Sequence, residues 1–169
     1  MWACHLVDYQ NPDLTLETRV SESGLVSLPL LGNVPKSEGD LLAELDDPKS
    51  QISEASQSIR AVLAFATSHG LPQTLLITSA QEGEGKSTTA LSLATAVSRS
   101  GKRVLLIDAD MRSPSVHKLV GCSNLRGFSN LLAGDEISPT LIITTQLSGL
   151  SVLPAGPKPP STADLLSVD

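Results

Sequence analysis

The sequence predicts an α/β fold, a parallel sheet with flanking helices, organised around the stretch from Thr74 to Arg112. Three observations carry this. Leu75 to Thr78 is a short apolar run with β-branched residues, suited to a strand covered on both faces. Lys86 opens a helix in which Ala90, Leu93, Ala94 and Val97 recur at helical spacing. Val104 to Ile107 is a second apolar run of strand type, and it leads directly into Asp108-Ala109-Asp110.

Taken in order, residues 1–23 have no clear period and carry Asp8, Asp13, Glu17 and Glu22, which predicts a loose arm. Gly24 to Pro35 is apolar but punctuated by Pro29, Gly32 and Pro35, as expected of a short edge or surface piece. Residues 36–48 read as a charged spacer. A helix is predicted over 51–68, with Ile52, Ala55, Ile59, Val62, Leu63 and Ala66 on one face, capped by Ser50 or Ser53 and stopped by Gly70. After the central stretch, Ser113-Pro114 should start a short helix running to Val120, and residues 127–133 another. Leu141 to Thr145 and Leu150 to Leu153 read as strands, the second entering a stiff proline turn over 154–160. The division is an acidic N-terminal arm and linker, 1–47, followed by a nucleotide-binding unit, 48–169.

The turn between the first strand and its helix holds the chemistry. A glycine loop lets consecutive N–H groups converge on an anion, and a helix start adds unsatisfied N–H groups and a positive dipole end. The general phosphate-loop pattern is G-x-x-x-x-G-K-[ST]; here Ala80 stands in the first glycine place, and Gly85-Lys86-Ser87 close it. Gly83, Glu84, Gly85, Lys86, Ser87 and Thr88 are the candidate nucleotide-binding residues. Lys86 would reach the β/γ-phosphates and Ser87 would take one coordination position of Mg²⁺. Asp108 and Asp110, at i and i+2 on an extended segment, should project to one side. There they would face the crevice at the carboxyl end of the strand, where a metal relieves their repulsion.

Together, GEGKST (83–88) and LLIDADMR (105–112) resemble the Walker A and A′ motifs of the bacterial tyrosine kinases, the P-loop kinases of capsule and exopolysaccharide export. The resemblance covers about Leu25 to Leu166. It implies a P-loop NTPase-type sheet, ATP and Mg²⁺ as cofactors, and protein tyrosine autokinase activity controlling polysaccharide synthesis and export. Lys86, Asp108 and Asp110 would be catalytic, and Ser87, Asp108 and Asp110 would hold the metal. The partners implied are a membrane polysaccharide co-polymerase or its activator segment, and further copies of the chain in a ring.

The chain departs from the family pattern in places. Glu82 stands where the kinases carry proline. Glu54, Gln57 and Arg60 replace their E-x-x-R-x-x-R, which lacks one arginine here, and Ser161-Thr162 replace Asn-Pro. The family's Walker B strand and tyrosine cluster are not found after Leu166, so the expectation is an incomplete sheet and a truncated, marginally stable kinase domain. Two alternatives stay open: a non-catalytic nucleotide-binding subunit of polysaccharide export, and a deviant-Walker positioning ATPase. Gln81 stands where the latter carry lysine.

Composition bounds the rest. The chain has 169 residues, 40% of them apolar, with a net charge of −6, which suits one soluble domain and no non-specific nucleic-acid binding. Cys4 and Cys122 match no metal spacing and read as free thiols, and His5, His69 and His117 are isolated. With no signal-peptide pattern and no run of about 20 apolar residues, the expected location is cytoplasmic, held at the inner face of the plasma membrane through a partner or a further membrane segment.

Overall fold

A computed structural model describes residues 4–5, 31–65, 70–79 and 81–166. The strands are β1 (Cys4–His5), β2 (Ile77–Thr78), β3 (Val104–Ile107), β4 (Ile143–Thr144) and β5 (Leu150–Leu153). The helices are α1 (Leu41–Asp46), α2 (Gln51–Phe65), α3 (Lys86–Ser98), α4 (Val116–Leu119), α5 (Phe128–Leu132) and α6 (Thr162–Leu166), with a 3₁₀ turn at Pro139–Leu141.

β1 pairs in parallel with β2, so the segment read as a loose arm contributes a strand at Cys4–His5. Most of that arm lies outside the described residues. The second sheet has the order β3-β5-β4. β5 runs parallel to β3, with Val104 opposite Leu150, and antiparallel to β4. The sheet is therefore mixed, not wholly parallel. The reason is local: residues 145–150 make a tight return, with Thr145 N donating to Leu150 O at 3.2 Å and Gly149 at φ 77°, and so short a link can only join antiparallel neighbours. The predicted strand 141–145 shrinks to two residues because Ser138 caps a 3₁₀ turn that consumes its start.

α3 is the central element, packed against α2, α4, β2, β3 and β5. Its expected single apolar face is an underestimate, since Leu91, Ser92, Leu93, Ala94, Thr95, Ala96 and Ser98 are all buried. Buried hydroxyls are tolerated here because each finds a carbonyl on its own helix. Ser92 Oγ donates to Thr88 O at 2.7 Å, Thr95 Oγ1 to Leu91 O at 2.8 Å, and Ser98 Oγ to Thr95 O at 2.9 Å. Leu91 and Ala94 pack with Leu45, Ile52, Leu147 and Leu150, while Leu93 packs with Ile59 and Leu63. Each such leucine or isoleucine contributes about 1.5–3 kcal/mol by leaving water.

The expected spacer contains α1, capped by Asp40, whose carboxylate accepts the Leu42 N–H at 3.1 Å and whose helix places Leu45 in the core. α2 buries Ile52, Ser53, Ser56, Ile59 and Leu63, so its inner stripe is turned towards two serines and Val62 is left exposed. Its predicted last residues, 66–68, lie outside the described residues. Of the two candidate caps, Ser50 serves, accepting the Ser53 N–H at 3.2 Å. Ser53 Oγ donates to Glu44 O at 3.2 Å, and the Arg99 guanidinium at the end of α3 donates to Leu45 O and Ser53 Oγ. The start of the chain's helical layer is thereby tied to the end of its central helix.

Neither expected buried strand is covered on both faces. β3 alternates, with Leu105 and Ile107 each 44% exposed, and Leu76 beside β2 is 65% exposed. Only the faces turned to α3 find apolar cover among the described residues. β2 and β3 are not hydrogen-bonded to each other, and between them opens an apolar groove of about 650 Å³ lined by Leu75, Ile77, Leu93, Val97 and Leu106. Among the described residues, no helix is long and apolar enough to cross a membrane.

Candidate functional site

The loop 79–85 leaves β2 and delivers the chain to the start of α3. Ser79 Oγ donates to Gln81 O at 2.9 Å, while Ala80, the first position of the phosphate-loop pattern, lies outside the described residues. Gly83 and Gly85 adopt φ of 86° and 77°, a left-handed backbone that side chains disfavour, and an added Cβ at either would meet nothing within 4 Å. The positions are thus glycine for backbone reasons, and they border open space. Gly85 caps α3 without a side chain, its carbonyl accepting the Thr89 N–H at 2.9 Å. Among the described residues, the N–H groups of Gly83 and Gly85 have no protein acceptor. N–H groups left without an acceptor at a helix start and bordering open space are suited to an anion.

Lys86, on the first turn of α3, extends Nζ to 2.7 Å from Asp110 Oδ2, the two side chains being 30% and 23% exposed. Beside it, Ser115 Oγ donates to Ser87 Oγ at 2.6 Å. Glu84 Oε2 accepts the Gln81 N–H at 3.0 Å and so braces the loop from inside. Glu82 Oε1 accepts from Ser113 Oγ at 2.7 Å. Thr88, also in the first turn of the helix, is half-buried.

The two aspartates, expected as a same-side pair, take different hydrogen-bond partners. β3 ends at Ile107, so strand alternation no longer governs 108–110, and Asp108 Oδ1 accepts the Asp110 N–H at 3.2 Å in a local turn. Asp108 is buried, and its Oδ2 accepts the N–H groups of Ser115 and Val116 at 3.2 and 3.1 Å, capping α4. Asp110 Oδ1 accepts those of Arg112 and Ser113 at 3.2 and 3.0 Å. Burial alone would raise the Asp110 carboxyl. The hydrogen bond from Lys86, the Ser113 N–H, the Lys86 charge and the Arg112 N–H outweigh it and hold the group below its usual 3.8.

The three serine and glutamate partners, Ser113, Ser115 and Glu82, were not singled out as site residues by their spacing. The only signal was position: a Ser-Pro-Ser run immediately after the carboxylates must pass close to the loop they face.

The residues fit a nucleotide polyphosphate. The glycine loop and Lys86 would supply its anion site, and Asp110, on Lys86, and the Ser87 hydroxyl lie next to it in the same loop and turn. Among the described residues no three His, Cys, Asp or Glu side chains converge. That suits Mg²⁺, which keeps several waters and leans on one or two carboxylates together with substrate phosphates, not on an all-protein cage.

A family profile described as ParA, NUBPL iron-transfer P-loop NTPase, matches residues 70–155, just over half the chain. The tyrosine-protein kinase YwqD of Bacillus subtilis is 41% identical over 123 residues, covering 73% of this chain and 52% of that protein. The tyrosine-protein kinase wzc of Salmonella typhi is 31% identical over 140 residues, covering 83% of this chain and 20% of that protein. The chain thus spans about half the length of the first and a fifth of the second. Among solved structures, the chimerical protein CapA2B2 superposes with a TM-score of 0.73 at 35% identity, covering 91% of this chain and 66% of that one. The kinase domain of Escherichia coli tyrosine kinase ETK gives a TM-score of 0.75 at 28% identity, covering 90% and 64%.

Proposed function

The chain belongs to the P-loop NTPase family, among the bacterial tyrosine-protein kinases, and from that premise we propose that it serves ATP-dependent phosphorylation of protein tyrosine in capsule or exopolysaccharide synthesis and export. The observation that carries this reading is the open glycine cradle with Lys86 at its helix start, 2.7 Å from the carboxylate of Asp110. Positioning and electrostatics do most of the work in phosphoryl transfer, and this is the equipment present.

In this reading the N–H groups of Gly83 to Thr88 hold the phosphate oxygens, and Lys86 neutralises charge gathering on the β/γ-phosphates. Ser87 and Asp110 would hold Mg²⁺, with Asp108 supporting from behind through the turn it shares with Asp110. The metal, when bound, draws negative charge from the phosphate oxygens. Asp110 or Asp108 orients the accepting tyrosine hydroxyl. The partners are a membrane polysaccharide co-polymerase or its activator segment and further copies of this chain, at the inner face of the plasma membrane.

A second reading, a nucleotide-binding subunit without catalysis, is favoured by one observation: Asp108 already spends its oxygens on three backbone N–H groups. Two measurements separate the readings. Titration calorimetry with Mg-ATP should show binding that Lys86→Ala abolishes; unchanged affinity in that variant would sink both. Tyrosine phosphorylation lost in Asp108→Asn and Asp110→Asn, with ATP binding retained, would select the kinase. Full transfer by both variants would remove the carboxylates from the mechanism.

A further inference from the structure

Without ligand, the polar groups that line the glycine loop are not idle. Lys86 is held by Asp110, Ser87 by Ser115, and Glu82 by Ser113, and all three partners lie on the one segment 110–115 that follows β3. This segment is itself fixed. Asp108 anchors its far end through the N–H groups of Ser115 and Val116, and Asp110 gathers its near end through those of Arg112 and Ser113. Three donors or acceptors from one rigid turn thus meet three loop side chains. The carboxylate on Lys86 is the group that a phosphate oxygen would replace there, and Ser115 holds Ser87 where its own O–H would otherwise turn to a phosphate.

We propose that residues 110–115 are a built-in stand-in for the nucleotide's phosphates, which enter by exchanging with Asp110 on Lys86 and with Ser115 on Ser87, while Ser113 holds Glu82 and with it the loop. Ser113 and Ser115 are positioning residues in this scheme, acting through the loop and not on the substrate. The proposal rests on the nucleotide-binding reading above and adds an internal competitor to it. Its consequence is directional. In the absence of metal, the nucleotide must displace a carboxylate, so weakening the stand-in tightens binding. A merely structural role for the turn would do the reverse, because a loosened loop binds less well.

The probe is ADP in the presence of EDTA, titrated calorimetrically into the full chain, with thermal melting of each variant as the folding check. Asp110→Asn should bind metal-free ADP about two- to fivefold more tightly than wild type, the fold-change of one partly exposed ion pair released. Ser115→Ala, which frees Ser87, should shift the same way by less, and Ser115→Thr, which keeps the hydroxyl, should return to the wild-type value. ADP with Mg²⁺ binding to wild type while Asp110→Asn and Ser115→Ala bind metal-free ADP equally or more weakly would overturn the stand-in and leave the nucleotide site in place. No binding by any of the proteins, with or without Mg²⁺, would overturn both together.

Discussion

Asp110 and Asp108 sit two residues apart and have different work. Asp110 is the half-buried partner of Lys86, and its carboxyl is held below 3.8. A group whose value is lowered on folding adds stability at every pH above its unfolded value, and loses it as the pH falls through the folded one. Urea unfolding of wild type and Asp110→Asn should therefore differ by a constant amount from pH 7 to about pH 5, and the difference should disappear between about pH 4 and pH 2. A gap that instead grows towards acid would contradict the ion pair. Asp108 is a cap. Asp108→Ala leaves the N–H groups of Ser115 and Val116 without acceptors and should cost about 1–2 kcal/mol in the same assay, Asn costing less because it keeps one oxygen. The motif made Lys86 and Asp110 legible in sequence. Their pairing with each other, and the roles of Ser113 and Ser115, were not, because contacts between residues some 24 to 31 positions apart depend on where a turn folds back and leave no periodic trace.

At the level of elements, long and periodic segments were the readable ones. α2, α3, β3 and β5 lie where apolar spacing puts them, and both short helices after the carboxylates exist, trimmed at their ends. What was missed had too few residues to show a period. α1 is six residues long and was hidden in a charged stretch, and β1 is two. The inner stripe of α2 departs from its apolar spacing because serines can be buried when a carbonyl waits for them, which a hydrophobicity pattern cannot register. One turn was recognised by composition but not by its tightness. The proline turn after β5 is pinned to α5: the Phe128 and Ser129 N–H groups each donate at 2.8 Å to Pro154 O and Ala155 O, and Asn124 exchanges two 2.8 Å bonds with Gly156. This brings a backbone so near Gly127 that a Cβ there would lie 2.0 Å from Pro154 O and 2.5 Å from Gly156 N. No flexible side chain can give way. Gly127→Ala should lower the melting temperature by about 5–10 °C, at the upper end of overpacking costs. A melting curve unchanged by this methyl group would mean the turn is not held as closely as its hydrogen bonds indicate.

For the molecule as a whole, the fold class and the order of strand, glycine loop, helix and strand were legible, whereas the sheet's division in two was not. Pairing is decided by which edges meet, and identical apolar runs are compatible with one sheet or with two. The groove between β2 and β3 turns that division into a matter of local opening. β3 and β5 share a four-residue register and a buried face on α3, so their amides can be freed only by dismantling the centre of the protein. β2 has a two-residue register with β1 and, among the described residues, no strand on its edge towards the groove. Two regions joined by a helix but not by ladder bonds need not open together, and the weaker one opens first. In deuterium exchange, the Val104 and Asp108 amides, which donate to Gly149 O and Leu153 O, should follow global unfolding, while those of Ile77 and Thr78 exchange orders of magnitude sooner. The two populations would respond differently to denaturant: the first with the slope of whole-chain exposure, the second with almost none. The strand that feeds the glycine loop is then the part of the sheet that is least locked in place, and the loop's shape is fixed from α3 and from the turn after β3, not from the strand behind it.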